Sequence, residues 1–165
     1  MHTPPELIVR LTKSAADRRG EWSALLSPCR KLRELELVVT RLGDKEPEII
    51  SSITSASIRK VTLVFRCAMT GFSWYDVHWG AFDRPLCRLV DRLGSTHELE
   101  VEIRNVDEES VSTYKDIDPG RIVKSFVAFR EKGRIKLIHV DRDGREYIVY
   151  PLDLCSPTPP PASVS

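Results

Sequence analysis

Five short stretches of the chain alternate apolar and other residues with a period of two, and helix signals stand between them. Successive side chains leave a strand on opposite sides, so this period marks strands buried on one face only. The stretches are ELIVRL with Leu7, Val9 and Leu11, LRELELVV with Leu35, Leu37 and Val39, and KVTLVF with Val61, Leu63 and Phe65. LEVEIR follows with Leu99, Val101 and Ile103, and RIKLIHV with Ile135 and Leu137. LRELELVV and IRKVTLVF also share the pattern L-x-x-L-x-L, through Leu32, Leu35, Leu37 and Ile58, Val61, Leu63. A repeated strand-plus-helix unit is the reading, with parallel strands joined by right-handed crossovers.

The segments between the strands support it. GEWSALLSPCRKL offers Trp22, Leu25 and Leu26 before Pro28 ends the helix. GDKEPEIISSIT has Asp44 as N-cap, Pro47 in the first turn, and Ile49, Ile50 and Ile53 on one face. In FDRPLCRLVDRLGS, Asp83 is placed to cap, Leu86, Leu89, Val90 and Leu93 form an apolar stripe, and Gly94 stops the helix. DIDPGRIVKSFVAFREKG repeats the logic as one helix, with Asp118 as cap, Pro119 at its start, Ile122, Val123, Phe126 and Phe129 inward, and Gly133 as its stop. After the fifth strand, DRDG separates two apolar runs and predicts a hairpin that adds EYIVY as an antiparallel strand. The expected organisation is one α/β domain over residues 1–152 and a flexible Pro/Ser-rich tail over 153–165.

Composition narrows the function. A formal net charge of +1 over 165 residues gives no basic stripe for nucleic acid and no attraction to an anionic membrane. No apolar run approaches the ~20 residues that span a bilayer. The four cysteines, Cys29, Cys67, Cys87 and Cys155, make no C-x-x-C pair and read as reduced thiols. MHTPPELIVR lacks the apolar core of a secretory signal, so the expected compartment is cytoplasmic or nuclear.

Catalytic templates find little. The chain has no G-x-S-x-G elbow, phosphate loop or dinucleotide fingerprint. Asp76, His78 and Asp83 lie close in sequence, but Asp83 is better used as a cap and no third metal ligand stands nearby. DRDG lacks the later glutamate of a calcium loop. The expectation is therefore no enzyme activity, no metal and no cofactor. A small flavodoxin-like enzyme, with its site in the 66–82 loop, is the alternative.

If helices cover only one side of the sheet, the residues between the inward ones face solvent. The candidate partner-binding set on that concave face is Glu34, Glu36, Thr62, Arg66, Glu100, Glu102, Arg104 and Lys136. The four glutamates among them are expected to point into water, so that lysine at 36, 100 or 102 leaves folding intact. The long RCAMTGFSWYDVHWGAFD segment is rich in aromatic residues. Its rings either pack as a satellite of the core or form a contact patch. Trp74, Tyr75 and Trp79 are the candidates for the patch. The strand at Leu7 has no evident cap, so further repeats or another chain are expected to cover that edge.

EPEIISSITSASIRKVTLVF and FDRPLCRLVDRLG, followed by LEVEIR and FREKGRIKLI, resemble the C-terminal, leucine-rich-repeat-like part of F-box proteins of mushroom-forming fungi. The likeness covers about residues 30 to 140. It implies a short solenoid of about four to five parallel strands with helices on one face, closed by the C-terminal hairpin. It also implies a protein-binding scaffold like the substrate-recognition repeats of a ubiquitin-ligase receptor. The chain has no LPxE-like F-box start and no N-terminal helical bundle, so only the repeat half carries over.

Overall fold

A computed structural model describes residues 7–11, 21–39, 46–66, 77–94, 98–107 and 118–151. Six strands form one sheet in sequential order: β1 (Leu7–Leu11), β2 (Leu32–Val39), β3 (Lys60–Arg66), β4 (Glu100–Val106), β5 (Arg134–Val140) and β6 (Glu146–Tyr150). The first five are parallel, and β6 runs antiparallel to β5. The fold class is thus α/β, with a mostly parallel sheet and a closing hairpin. The order never reverses. A flavodoxin-like sheet, by contrast, changes direction and binds its ligand at that switch point. That topology is not the one adopted.

The helices are α1 (Glu21–Leu26), α2 (Glu46–Ser51), α3 (Gly80–Leu93) and α4 (Pro119–Val123), with a 3-10 turn at Phe129–Glu131. Parallel register stacks Leu35, Val61, Val101 and Ile135 in one row, and Leu37, Leu63, Ile103 and Leu137 in the next. All are buried in a single core with Leu26, Ile49, Ile50, Phe82, Leu86, Leu89, Ile122 and Phe129. Every described helix contributes to that core, while the opposite face of the sheet contributes nothing to it. Each leucine- or phenylalanine-sized side chain so buried stabilises the fold by about 1.5–3 kcal/mol. Leu25 is the exception to the inward expectation: it is exposed on α1, while Leu26 fills the core.

Polar residues hold the turns. Ser55 is buried and its hydroxyl lies 2.9 Å from the Arg30 carbonyl and 2.8 Å from that of Leu32, while accepting from the Ser57 amide. Thr54 donates to the Ser27 carbonyl. The serine-rich stretch after α2 thereby ties its turn to the turn after α1, satisfying carbonyls that would otherwise be stranded. At DRDG the Asp141 carboxylate accepts from the Asp143 and Arg145 amides and the Tyr147 hydroxyl, and Gly144 takes φ +78°. These bonds to the charged form, the Arg145 amide foremost, hold the Asp141 carboxyl below the usual range. The hairpin expected there is the one found.

Two cap expectations diverge. Asp118 does cap α4, accepting from the Gly120 amide at 3.0 Å. Asp83 does not cap its own helix: α3 begins three residues earlier, at Gly80, and Asp83 sits inside its first turn. Its carboxylate instead accepts from the amides of Ala128 (3.1 Å) and Phe129 (2.8 Å). That distant bond starts the 3-10 turn, so the single helix expected over DIDPGRIVKSFVAFREKG is broken after Val123 and restarts at Phe129. Replacing Asp83 with alanine leaves two amides without their acceptor and should cost about 1–2 kcal/mol in chemical unfolding. Asp83→Asn keeps an acceptor oxygen and should cost clearly less. Gly94 ends α3 with φ +74°, as expected. Asp44 lies outside the described residues.

Candidate functional site

The face opposite the helices is built by strand register. Glu34, Lys60, Glu100 and Arg134 form one row across β2 to β5, and Glu36, Thr62, Glu102 and Lys136 form the next. A third row holds Val38, Val64, Arg104 and Ile138. Arg66 stands one row further on, half-buried beside Val106. The strands therefore bring the eight predicted face residues onto one surface.

They do not all face water. Glu102, expected to be solvated, has a side chain only 3% exposed. Three cations close over it from three strands: Lys60 Nζ at 2.8 Å, Arg104 Nη1 at 2.8 Å and Lys136 Nζ at 3.9 Å. Burial alone would push the Glu102 carboxyl up; hydrogen bonds from Lys60 and Arg104 outweigh it and hold the group below the usual carboxylate range. Burial likewise works to lower Lys60 and Arg104. Their bonds to Glu102, and for Arg104 also to Glu146, prevail and raise both. Arg104 continues the chain to Glu146 on β6, so one ionic network runs from β3 to β6. Thr62, paired with Glu102 in the same row, is buried as well. Glu34, Glu36 and Glu100 remain half-exposed, and Glu100 meets Lys60 at 3.8 Å.

Of the aromatic candidates, Trp79 is a core residue, 2% exposed. Its ring lies 5.8 Å from that of Phe82 and 6.5 Å from that of Phe126. It immediately precedes α3 and packs under it, so it is no contact patch. Trp74 and Tyr75 lie outside the described residues, as does Asp76 of the acid–base trio. His78 is exposed and Asp83 is turned to the 3-10 turn, so these two serve no common site.

Lys60 and Glu146 belong to the network but were not among the predicted residues. Lys60 was findable, since the alternation extended two places back from Thr62 reaches it. Glu146 required the registers of β6 on β5 and of β5 on β4, which the hairpin turn by itself does not state. Among the described residues no cluster of three or more His, Cys, Asp or Glu side chains is placed to hold a metal ion. No described helix is long and apolar enough to cross a membrane. Comparison with protein-family models, curated proteins and solved structures finds no match.

Proposed function

We propose that the chain is a non-catalytic protein-binding scaffold, a short leucine-rich-repeat-like solenoid whose open sheet face receives a protein partner. The observation that carries this reading is the set of half-exposed glutamates, Glu34, Glu36 and Glu100, on two neighbouring rows of a sheet whose described helices all join the other side. A charged, rigid, one-sided surface suits recognition, because complementary charge selects a partner and suppresses wrong ones. The resemblance to the recognition repeats of F-box receptors points the same way, towards the target-holding half of a ubiquitin-ligase receptor in the cytoplasm or nucleus. Further repeats or a second chain would cover the edge at β1.

The test is affinity capture from the native cell, with ligase components scored among the proteins retained. Lysine at Glu34, Glu36 and Glu100 together should reduce capture of the specific partner at least about tenfold, by placing like charges where opposite ones were needed. Stability should move by only about 1 kcal/mol, as these groups are half-solvated. Undiminished capture by a folded triple variant would remove the open face as the docking surface.

A further inference from the structure

A second polar group lies on the helix side of the sheet, at the carboxyl ends of β4 and β5. The row that begins apolar with Val39 and Phe65 continues as Asn105 and His139, and ends with Tyr147 on β6. Asn105 is 8% exposed and His139 2%. Their only mutual contact joins Asn105 Nδ2 to His139 Nδ1 at 3.3 Å, and Asn105 Oδ1 is buried with no hydrogen-bond partner.

No neutral arrangement satisfies this pair. With the imidazole proton on Nε2, Nδ1 accepts from the amide and Oδ1 is stranded. With the proton on Nδ1, the amide must turn round to offer Oδ1, and its NH2 is stranded instead. A stranded buried group costs about 1–3 kcal/mol. The next residue of the row bears on the pair from β6. The Tyr147 ring flanks that of His139 from the next strand, with centroids 6.3 Å apart, and its hydroxyl donates to Asp141 at 3.2 Å. On the opposite side of the sheet the neighbouring Glu146 binds Arg104. The first two residues of β6 thus close on His139 from one side and on the ionic network from the other.

We propose that His139 is an acid-operated clasp on the start of β6: uptake of a second proton by its ring reverses the Asn105 amide and releases Tyr147 and Glu146 from the sheet. An imidazolium needs acceptors for both its N–H groups. Reversal of the amide supplies one, Oδ1. The charged groups nearest the ring are Asp107 and Asp141. In the closed form the hydrogen bond of the ring among the described residues is to Asn105, while Asp107 and Asp141 act on it through their charge and not by a hydrogen bond. The second N–H therefore finds its acceptor in water, which it reaches when β6 lifts. Burial lowers the His139 imidazole from its ordinary value, against the opposing pull of the two aspartates. The closed form therefore binds the proton less readily than the open one, and closure weakens as pH falls from the ordinary imidazole range towards the closed-state value. Asp141, held below the usual carboxylate range, stays ionised through that window. The clasp stands independently of what the open face binds.

Amide hydrogen exchange of the whole chain, followed between pH 7 and pH 5, tests it. The protection factor at Tyr147 should fall by up to about tenfold per pH unit, the slope of one proton, while those of β3 hold. In His139→Gln the β6 protection should be flat with pH. Should that variant fail to fold, Asn105→Asp serves: a carboxylate beside the ring should raise the imidazole titration, read by its 15N shifts, and keep β6 closed to pH 5. The proposal is overturned if wild-type β6 protection is flat over this range. It is equally overturned if His139→Gln loses protection with the wild-type pH profile, if Asn105→Asp opens as wild type does, or if β3 loses protection in step with β6.

Discussion

Lysine in place of Glu102 should lower stability by about 4 kcal/mol, or prevent folding, and this is the change to which the molecule is most sensitive on the sheet face opposite the described helices. The reason is geometric. Among the described residues Glu102 is the one anion that Lys60, Arg104 and Lys136 share, and it is almost fully enclosed. Its removal leaves Lys60 with only the longer contact to Glu100, Arg104 with Glu146, and Lys136 without its partner in the network, all partly desolvated; a lysine adds a fourth cation. Glu102→Gln keeps the shape and loses the charge, and should cost about 2–3 kcal/mol, since the surrounding cations retain some access to water. Urea unfolding measures both, and for Glu102→Lys the midpoint should fall by roughly 2 M with little change of slope, taking a slope of about 2 kcal/mol per molar. The matched control is Glu100→Lys, one row away and one-third exposed, which should cost no more than about 1 kcal/mol. Equal losses at 100 and 102 would show that the network is not what stabilises this face. The earlier expectation that lysine at 102 leaves folding intact is therefore reversed. Acid should act in the same direction. The native carboxyl is held below its unfolded value, so its contribution is complete at neutral pH. It is lost as pH falls below the ordinary carboxylate range and through the depressed native value.

Alanine at Gly133 should cost about 3 kcal/mol, although it adds a single methyl group. A β-carbon there would sit 2.3 Å and 2.6 Å from two ring carbons of Phe129, and 2.9 Å from the Leu99 carbonyl oxygen. Neither neighbour can yield cheaply. Phe129 has no exposed surface, and the Leu99 oxygen accepts from the Arg134 amide at the start of β5. The strain would fall on the junction between the 3-10 turn and β5, whose exchange protection should drop first. Thermal unfolding of Gly133→Ala beside Gly94→Ala separates two uses of glycine. At Gly94 nothing stands near the added carbon, and only its positive φ resists substitution, so about 1 kcal/mol is expected. A cost at Gly133 no greater than at Gly94 would mean that Phe129 repacks freely.

These two residues also mark where reading the chain succeeded and where it stopped. Gly133 was read as a helix stop, and it does follow the last helical turn. Its necessity comes from the ring of Phe129 and the carbonyl of Leu99, which the fold brings in from two directions. Glu102 was placed on the correct face by alternation, because a strand's two-residue period is local and leaves no freedom once Val101 and Ile103 face inward. Its burial was not legible, since the three cations arrive by register from β3, by the next outward position of β4 itself, and from β5. Asp83 shows the same division. A carboxylate beside a helix start is a sound cap signal, yet the amides it serves lie at Ala128 and Phe129. Trp79 could not be told from a contact residue, as a tryptophan in an aromatic segment carries no mark of which side of the chain it packs on.

What the amino-acid order determined by itself was everything set by short-range periodicity and turn chemistry. This includes five parallel strands, the inward leucines, valines and isoleucines of β2 to β5, the Asp118 cap, the DRDG hairpin and the sixth strand. What only the tertiary structure decided was which polar groups meet: Glu102 with its three cations, Asp83 with a distant turn, Asn105 with His139 beneath Tyr147. The physical reason is that side-chain direction follows from neighbours along the chain. Charge pairing and desolvation follow instead from neighbours across it, which strand register and the packing of helices and turns set together.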